Sequence, residues 1–132
     1  MKTFSWPVRV YYEDTDTGGV VYYANYLKYF ERARTEWLRS FGLNQDKLAQ
    51  EQDLIFVVRR ALLDFVRPAR LDDLLEVTVE PQKLARVYLE LTQEARSGGQ
   101  ILARARIRVA CLNLQRFKPA EIPQSLRESI LQ

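Results

Sequence analysis

The sequence predicts an α+β fold, in which one long helix near the amino terminus packs on a mainly antiparallel sheet. A helical pattern of apolar residues covers residues 26–41, and four strand-like segments joined by short turns follow it. No repeat, linker or low-complexity segment divides the chain. With 132 residues, 47% of them hydrophobic, the chain is long enough for one domain with a real core and too short for two. We therefore expect a single domain over residues 1–132.

The first strand and the long helix open the chain. Residues 3–12 alternate between apolar and polar side chains, and Pro7 places that strand at or near a sheet edge because proline lacks a backbone N–H. Gly42 suits the position after a helix end, which predicts that the helix ends near Phe41. At about 100° per residue, the apolar side chains of the helix fall within an arc of roughly 140°. They are Tyr26, Leu27, Phe30, Ala33, Trp37, Leu38 and Phe41.

Arg34 projects from inside this apolar arc, where a guanidinium needs a partner. Three interpretations stay open. The side chain reaches solvent at the helix margin, pairs with Glu31 one turn earlier, or pairs with a carboxylate of another subunit.

The remaining elements are shorter. Asn44 can cap a second helix that runs to about Gln50, and a terminal helix begins near Ser125. Strand patterns cover residues 54–66, 74–80, 86–95 and 101–111; Pro81 closes the second of them, and Ser97-Gly98-Gly99 is a hairpin signal. A single helix covers only one face of such a sheet. A leftover apolar face and a basic row therefore predict at least a dimer; the row is Arg104, Arg106 and Arg108.

Composition excludes several function classes. The chain has no histidine, which rules out Ser-His-Asp and Cys-His catalysis and histidine-based zinc sites. Cys111 is the only cysteine, so no intrachain disulfide forms. The sequence has no signal peptide and no apolar run of about 18 residues, which predicts a cytoplasmic protein without membrane insertion. The net charge of +3 fits either a phosphate-bearing ligand or a solvated surface, and without a lysine-rich tail we expect no nucleic-acid partner.

The segment from Tyr11 to Tyr26 is the strongest indication of chemistry. A strand-like run ends in clustered carboxylates, a double glycine follows, and the long helix begins. This order can place a carboxylate beside the free N–H groups of a helix start, which stabilise an oxyanion while the carboxylate acts as base or nucleophile. The alternative is an ordinary acidic turn that caps a helix. Asp14 and Asp16 are both candidates for the carboxylate.

The same segment carries a resemblance to a known family. The chain resembles the hotdog-fold acyl-CoA thioesterases of the 4-hydroxybenzoyl-CoA thioesterase family, and within them the YbgC subfamily associated with the Tol-Pal system. The matching segments span nearly the whole chain. They are Tyr12-Glu13-Asp14-Thr15-Asp16-Thr17-Gly18-Gly19-Val20-Val21-Tyr22, Asn25-Tyr26, Glu31-Arg32-Ala33-Arg34-Thr35-Glu36, Phe56-Val57-Val58-Arg59-Arg60, Pro68-Ala69-Arg70-Leu71-Asp72-Asp73 and Phe117-Lys118-Pro119.

The resemblance implies both a fold and an activity. The fold is a long central helix wrapped by a five-stranded antiparallel sheet, and subunits pair into homodimers, in many members homotetramers, with active sites at the interface. The activity is hydrolysis of acyl-CoA to the free acid and CoA. It needs no separate cofactor, because coenzyme A is part of the substrate. A non-catalytic module that binds acyl-CoA is the alternative function on the same fold.

The resemblance also assigns site residues. The family's catalytic aspartate corresponds to Asp16, its oxyanion donor to the backbone N–H of Tyr23, and the loop that admits substrate to Gly19. Tyr23 occupies the position of the subfamily's usual histidine, which leaves the choice of acyl group open. We expect Asp14 to brace the loop and Glu13 to face solvent.

Tyr22 is a further candidate for substrate binding, and basic side chains are candidates for the phosphates of coenzyme A. Arg59 and Arg60 are the foremost of these. The others are Lys83, Arg86, Arg104, Arg106, Arg108, Arg116 and Lys118.

Overall fold

The computed structural model describes all 132 residues and confirms the α+β fold. Three helices and five strands are present, with a 3₁₀ turn at Tyr12–Asp14. In chain order they are β1 (Phe4–Arg9), α1 (Asn25–Ser40), α2 (Gln45–Gln52), β2 (Leu54–Phe65), β3 (Leu74–Leu84), β4 (Tyr88–Ser97), β5 (Gln100–Asn113) and α3 (Gln124–Leu131).

The five strands form one antiparallel sheet in the order β1-β3-β4-β5-β2. β1 and β2 are therefore its edges, and the prediction from Pro7 that the first strand lies at an edge is confirmed. Helix α1 lies across one face and packs on β1, β3 and β4. Tyr29 and Phe30 of α1 are fully buried against residues such as Leu75, Val77 and Leu91. Burial of this apolar surface fixes the helix on the sheet.

Local signals in the sequence predicted several element ends correctly. The Asn44 side chain caps α2 by accepting a hydrogen bond from the Lys47 N–H at 3.1 Å. Gly98 and Gly99 form the two-residue turn between β4 and β5, with φ values of +57° and +77° that suit glycine. Gly42, at φ +80°, follows the end of α1.

Two strands differ from their predicted extents. β1 ends at Arg9, because the chain then turns into the 3₁₀ turn instead of extending to residue 12. β3 does not stop at Pro81 but continues to Leu84. The pairing of β3 with β4 shifts register between Pro81 and Lys83. Pro81, which has no backbone N–H to donate, is accommodated at this irregularity of the sheet.

The face of the sheet opposite α1 is polar, so the prediction that this face is apolar is wrong. Two arginines of the basic row on β5 are paired with β4 carboxylates: Arg108 with Glu90, and Arg104 with Glu94 at 3.5 Å. Several exposed apolar residues lie along edge strand β2. They include Val58, Leu62 and Phe65, which are 46%, 55% and 51% exposed.

Arg34 has a partner that none of the three interpretations included. Its Nη1 donates a hydrogen bond at 2.9 Å to Oε1 of Gln93, a fully buried residue of β4. Gln93 in turn donates from Nε2 to the carbonyl oxygens of Phe30 and Thr78, at 3.0 and 3.2 Å. No carboxylate of the chain lies within 4.0 Å of the guanidinium. The interpretation as an ion pair with Glu31 is therefore wrong, and the other two stay predictions because the side chain is only half-buried. None of the three helices is long and apolar enough to cross a membrane.

Candidate active site

Asp14 holds the loop that joins β1 to α1. Its carboxylate is buried and accepts a hydrogen bond from the Tyr11 N–H at 2.8 Å. Its backbone carbonyl accepts two more, from the Tyr22 N–H at 2.9 Å and from Asn25 Nδ2 at 2.8 Å. The expected bracing role of Asp14 is confirmed, because these bonds tie the start of the loop to the start of α1. Glu13 is exposed, as expected.

Asp16 has the opposite environment, although it is only two residues away. It is exposed and sits at a tight turn, where its N–H donates to the Val20 carbonyl at 2.9 Å. Its Oδ1 accepts the Gly18 N–H at 2.9 Å, and its Oδ2 has no hydrogen-bond partner in the chain. Gly19, at φ +77°, completes the turn in a conformation that favours glycine. The turn thus orients one carboxylate oxygen and leaves the other free.

The start of α1 presents unpartnered donors close to this turn in the sequence. The N–H of Asn25 donates to the Tyr22 carbonyl at 2.8 Å, but the N–H groups of Tyr23 and Ala24 donate to no group of the chain. Ala24, at the cap position, offers no side-chain acceptor. The first N–H groups of a helix carry the positive end of its dipole. This end of α1 can therefore bind an anionic oxygen.

Aromatic rings surround the same helix start. Tyr22 and Tyr23 are both exposed, with ring centroids 4.9 Å apart. The ring of Phe65, at the end of β2, lies 6.0 Å from that of Tyr23 and 5.5 Å from that of Tyr26. Tyr26 itself is buried and accepts the Ala69 N–H on its hydroxyl at 3.3 Å, which confirms that it packs in the core. Sequence reasoning missed Phe65; its only signal was a large apolar residue near the end of a predicted strand.

Tyr29 lies beneath this region. Its hydroxyl is buried and makes no hydrogen bond. Burial, and secondarily the nearby Asp14 carboxylate, raise the pKa of Tyr29 far above its ordinary value. The phenol therefore stays protonated and neutral beside Asp14.

Arg59 and Arg60 lie along β2, away from the end of that strand that packs beside the helix start. Both are exposed on β2, where the pairing with β5 shifts register between Val58 and Arg60. At about 3.3 Å per residue, Arg60 lies about 17 Å along the strand from Phe65, whose ring packs beside the helix start.

The other basic candidates are divided between paired and unpaired side chains. Arg86 pairs with Glu121 at 3.3 Å. Lys83 and Arg108 lie over the ring of Tyr88, with distances to the centroid of 5.4 and 4.5 Å. Arg106, Arg116 and Lys118 form no salt bridge within the chain. No group of three or more acidic or cysteine side chains is placed to hold a metal ion.

Comparison with known proteins identifies the class to which this protein belongs. Residues 10–130 match the profile of the thioesterase-like superfamily. The chain is 45% identical to the acyl-CoA thioesterase YbgC of Haemophilus influenzae over 94% of its own length and 91% of that protein's. The chain therefore belongs to the thioesterase-like superfamily and, within it, to the group of the YbgC proteins.

Solved structures place the fold in the same class. A crystal structure described as a probable thioesterase from Bartonella henselae superposes with a TM-score of 0.88 at 37% identity, covering 92% of this chain and all of that one. A 1,4-dihydroxy-2-naphthoyl-CoA thioesterase from Synechocystis superposes with a TM-score of 0.92 at 29% identity, covering 99% and 97% of the two chains. The predicted hotdog fold is confirmed.

Proposed function

We propose that this protein hydrolyses acyl-CoA thioesters to the free acid and CoA, with Asp16 and the start of α1 as the reacting site. One observation carries the proposal. A single short segment, residues 16–24, holds both an exposed, oriented carboxylate and N–H groups that have no partner in the chain. The related YbgC protein of Haemophilus influenzae is an acyl-CoA thioesterase, which supports the same substrate class.

Each group has a defined role in the reaction. The thioester carbonyl oxygen lies at the N–H of Tyr23, which stabilises the negative charge that develops when the carbonyl carbon is attacked. Asp16 acts in one of two ways. As a general base it takes a proton from water, and the hydroxide formed attacks the carbonyl carbon. As a nucleophile its free oxygen attacks directly and forms an anhydride, which water then hydrolyses.

The two routes end in the same products. In both, the bond between carbonyl carbon and sulfur breaks and the CoA thiolate leaves and is protonated. The chain contains no histidine, so the proton passes through a carboxylate or water. A single turnover in ¹⁸O-labelled water separates the routes, because only the anhydride route can leave a label in Asp16.

The substrate contacts extend beyond the reacting groups. Gly19 holds the turn beside Asp16, since its φ of +77° would be strained in a residue with a Cβ. Tyr22 lines the acyl slot together with Tyr23 and Phe65, and Arg59 and Arg60 bind phosphates of CoA.

Arg59 and Arg60 lie along edge strand β2, away from its Phe65 end, and we propose that a second copy of the chain completes this site. The exposed apolar residues of edge strand β2 supply the surface for a homodimer, and a homotetramer is a pair of such dimers.

A hydrolysis panel tests the activity itself. Acetyl-, butyryl-, decanoyl- and benzoyl-CoA are incubated with the protein, and released CoA is followed with a thiol reagent. Cys111 does not interfere, because it is buried and burial raises its pKa to about 11. We expect turnover of at least one acyl class. Saturable binding of all four without CoA release would instead establish a non-catalytic acyl-CoA-binding module.

A further inference from the structure

The hydroxyl of Tyr29 is a buried donor that the site around Asp16 does not use. The side chain is fully buried near the start of α1, and its hydroxyl makes no hydrogen bond. Its ring lies edge-on to that of Tyr26 in the core, with centroids 5.9 Å apart. Since one chain alone buries this group completely, its surroundings do not depend on a second copy. A buried hydroxyl without a partner is uncommon, because folding removes its hydrogen bonds to water.

Asp14 lies against the same face of α1. Tyr29 is four residues after Asn25, so the two side chains are neighbours one turn apart. Asn25 Nδ2 donates to the Asp14 carbonyl at 2.8 Å, which holds Asp14 beside this face. The Asp14 carboxylate accepts the Tyr11 N–H on Oδ2, and its Oδ1 accepts no hydrogen bond within the chain. A free donor and a free acceptor therefore lie close together.

The negative charge of Asp14 acts on the Tyr29 hydroxyl. Burial raises the pKa of Tyr29, and the nearby Asp14 carboxylate raises it further; Tyr26 adds to this effect and Arg32 opposes it. A protonated phenol beside a carboxylate can donate to it, and such a charge-assisted bond is about twice as strong as one between neutral groups. In the free protein the two groups are neighbours without a hydrogen bond.

We propose that Tyr29 is a positioning residue, whose hydroxyl donates to the free carboxylate oxygen of Asp14 when acyl-CoA binds. This bond fixes the loop, and with it the distance between Asp16 and the N–H of Tyr23. The inference rests on the proposed hydrolysis at that site. The Asp14 carbonyl accepts the Tyr22 N–H at 2.9 Å, so Asp14 is tied to the helix start as well as to the turn of Asp16. Hydrogen bonds in catalytic sites are often long in the free enzyme and shorten in the substrate complex.

Tyr29→Phe separates positioning from packing. Phenylalanine fills the same space apart from one oxygen, and loss of an unpartnered donor should leave the urea midpoint of unfolding unchanged or slightly higher. We expect kcat to fall about threefold to tenfold, because small displacements of the reacting groups slow the chemical step, and KM to stay within about twofold. An unchanged kcat would overturn the proposal. So would a fall in kcat together with a lower urea midpoint, because lost packing would then explain both.

Tyr26→Phe is the matched control. Tyr26 is also a buried phenol of α1, but its hydroxyl accepts the Ala69 N–H at 3.3 Å. The substitution leaves that N–H without a partner, so the urea midpoint should fall while kcat stays within about twofold. A loss of kcat as large as that of Tyr29→Phe would contradict a specific role for Tyr29.

An Asp14→Asn background tests whether Tyr29 acts through Asp14. Asparagine keeps a side-chain oxygen for the Tyr11 N–H but lacks the charge that strengthens a bond from the phenol. Tyr29→Phe should therefore change kcat by less than about twofold in this background. A further loss of threefold or more would mean that Tyr29 acts through another group, and would contradict the proposal.

Amide hydrogen exchange tests the bond without relying on hydrolysis. The probe is S-butyl-CoA at saturating concentration, a thioether that cannot be hydrolysed. The N–H groups of Tyr11 and Tyr22, which donate to Asp14, should exchange at least about threefold faster in Tyr29→Phe than in the native protein. Equal exchange would overturn the inference alone if the native protein hydrolyses acyl-CoA. No slowing of exchange by S-butyl-CoA in the native protein would contradict the proposed function, and the inference with it.

Discussion

The start and the middle of α1 each leave polar groups without a full set of partners, but in different surroundings. At the start, the N–H groups of Tyr23 and Ala24 and one oxygen of Asp16 are free beside exposed side chains. In the middle, Gln93 is fully buried in the helix–sheet layer and binds the half-buried Arg34. Water can satisfy the groups at the start at little cost, whereas groups in the middle depend on one another. Changes at the start should therefore affect chemistry, and changes in the middle should affect stability.

The largest effect on stability is expected from Gln93→Leu. The substitution keeps the approximate volume but removes the acceptor of Arg34 and the donor to the Phe30 and Thr78 carbonyls, so three hydrogen bonds of the helix–sheet layer are lost. We expect unfolding to become easier by about 2–4 kcal/mol. Urea unfolding at one protein concentration measures the change.

Gln82→Leu is the matched control for that variant. Gln82 is exposed on β3 and donates from Nε2 to Thr92 Oγ1 at 2.9 Å, so its loss should cost less than about 1 kcal/mol. Similar losses in both variants would mean that the buried network stabilises no more than a surface hydrogen bond.

The smallest effect is expected at the start of α1, from Tyr23→Phe. The proposed contribution of Tyr23 is its backbone N–H, which the substitution leaves in place. Hydrolysis should stay within about tenfold of the native rate, with unfolding unchanged because the side chain is exposed. A loss of a hundredfold or more in kcat would show that the phenol takes part in the reaction.

Local patterns in the sequence account for much of the fold. The apolar arc predicted α1, and Asn44 predicted the cap of α2. The pair Gly98-Gly99 predicted the turn between β4 and β5. Each of these features depends on residues within a few positions of one another. The continuation of β3 past Pro81 was not predictable in this way, since it depends on a register shift against a neighbouring strand.

The site was predictable only in part for the same reason. The order of carboxylates, glycines and helix start is local, and it pointed to Asp14 and Asp16 together. Burial of the first and exposure of the second depend on how the loop packs, and that is visible only in three dimensions. The partner of Arg34 is 59 residues away, and Phe65 reaches Tyr23 from the far end of β2. No periodicity in the sequence reports such contacts.

The most direct test of the account compares acyl-CoA hydrolysis by Asp16→Asn and Glu13→Gln. Asparagine retains the Oδ1 that accepts the Gly18 N–H, so the turn and the unfolding free energy should be preserved while the base or nucleophile is lost. We expect kcat to fall at least about a hundredfold in Asp16→Asn and to stay near the native value in Glu13→Gln, whose side chain is exposed nearby. A native rate in Asp16→Asn would contradict the central claim, and loss of activity in a folded Asp14→Asn instead would transfer the catalytic role to Asp14.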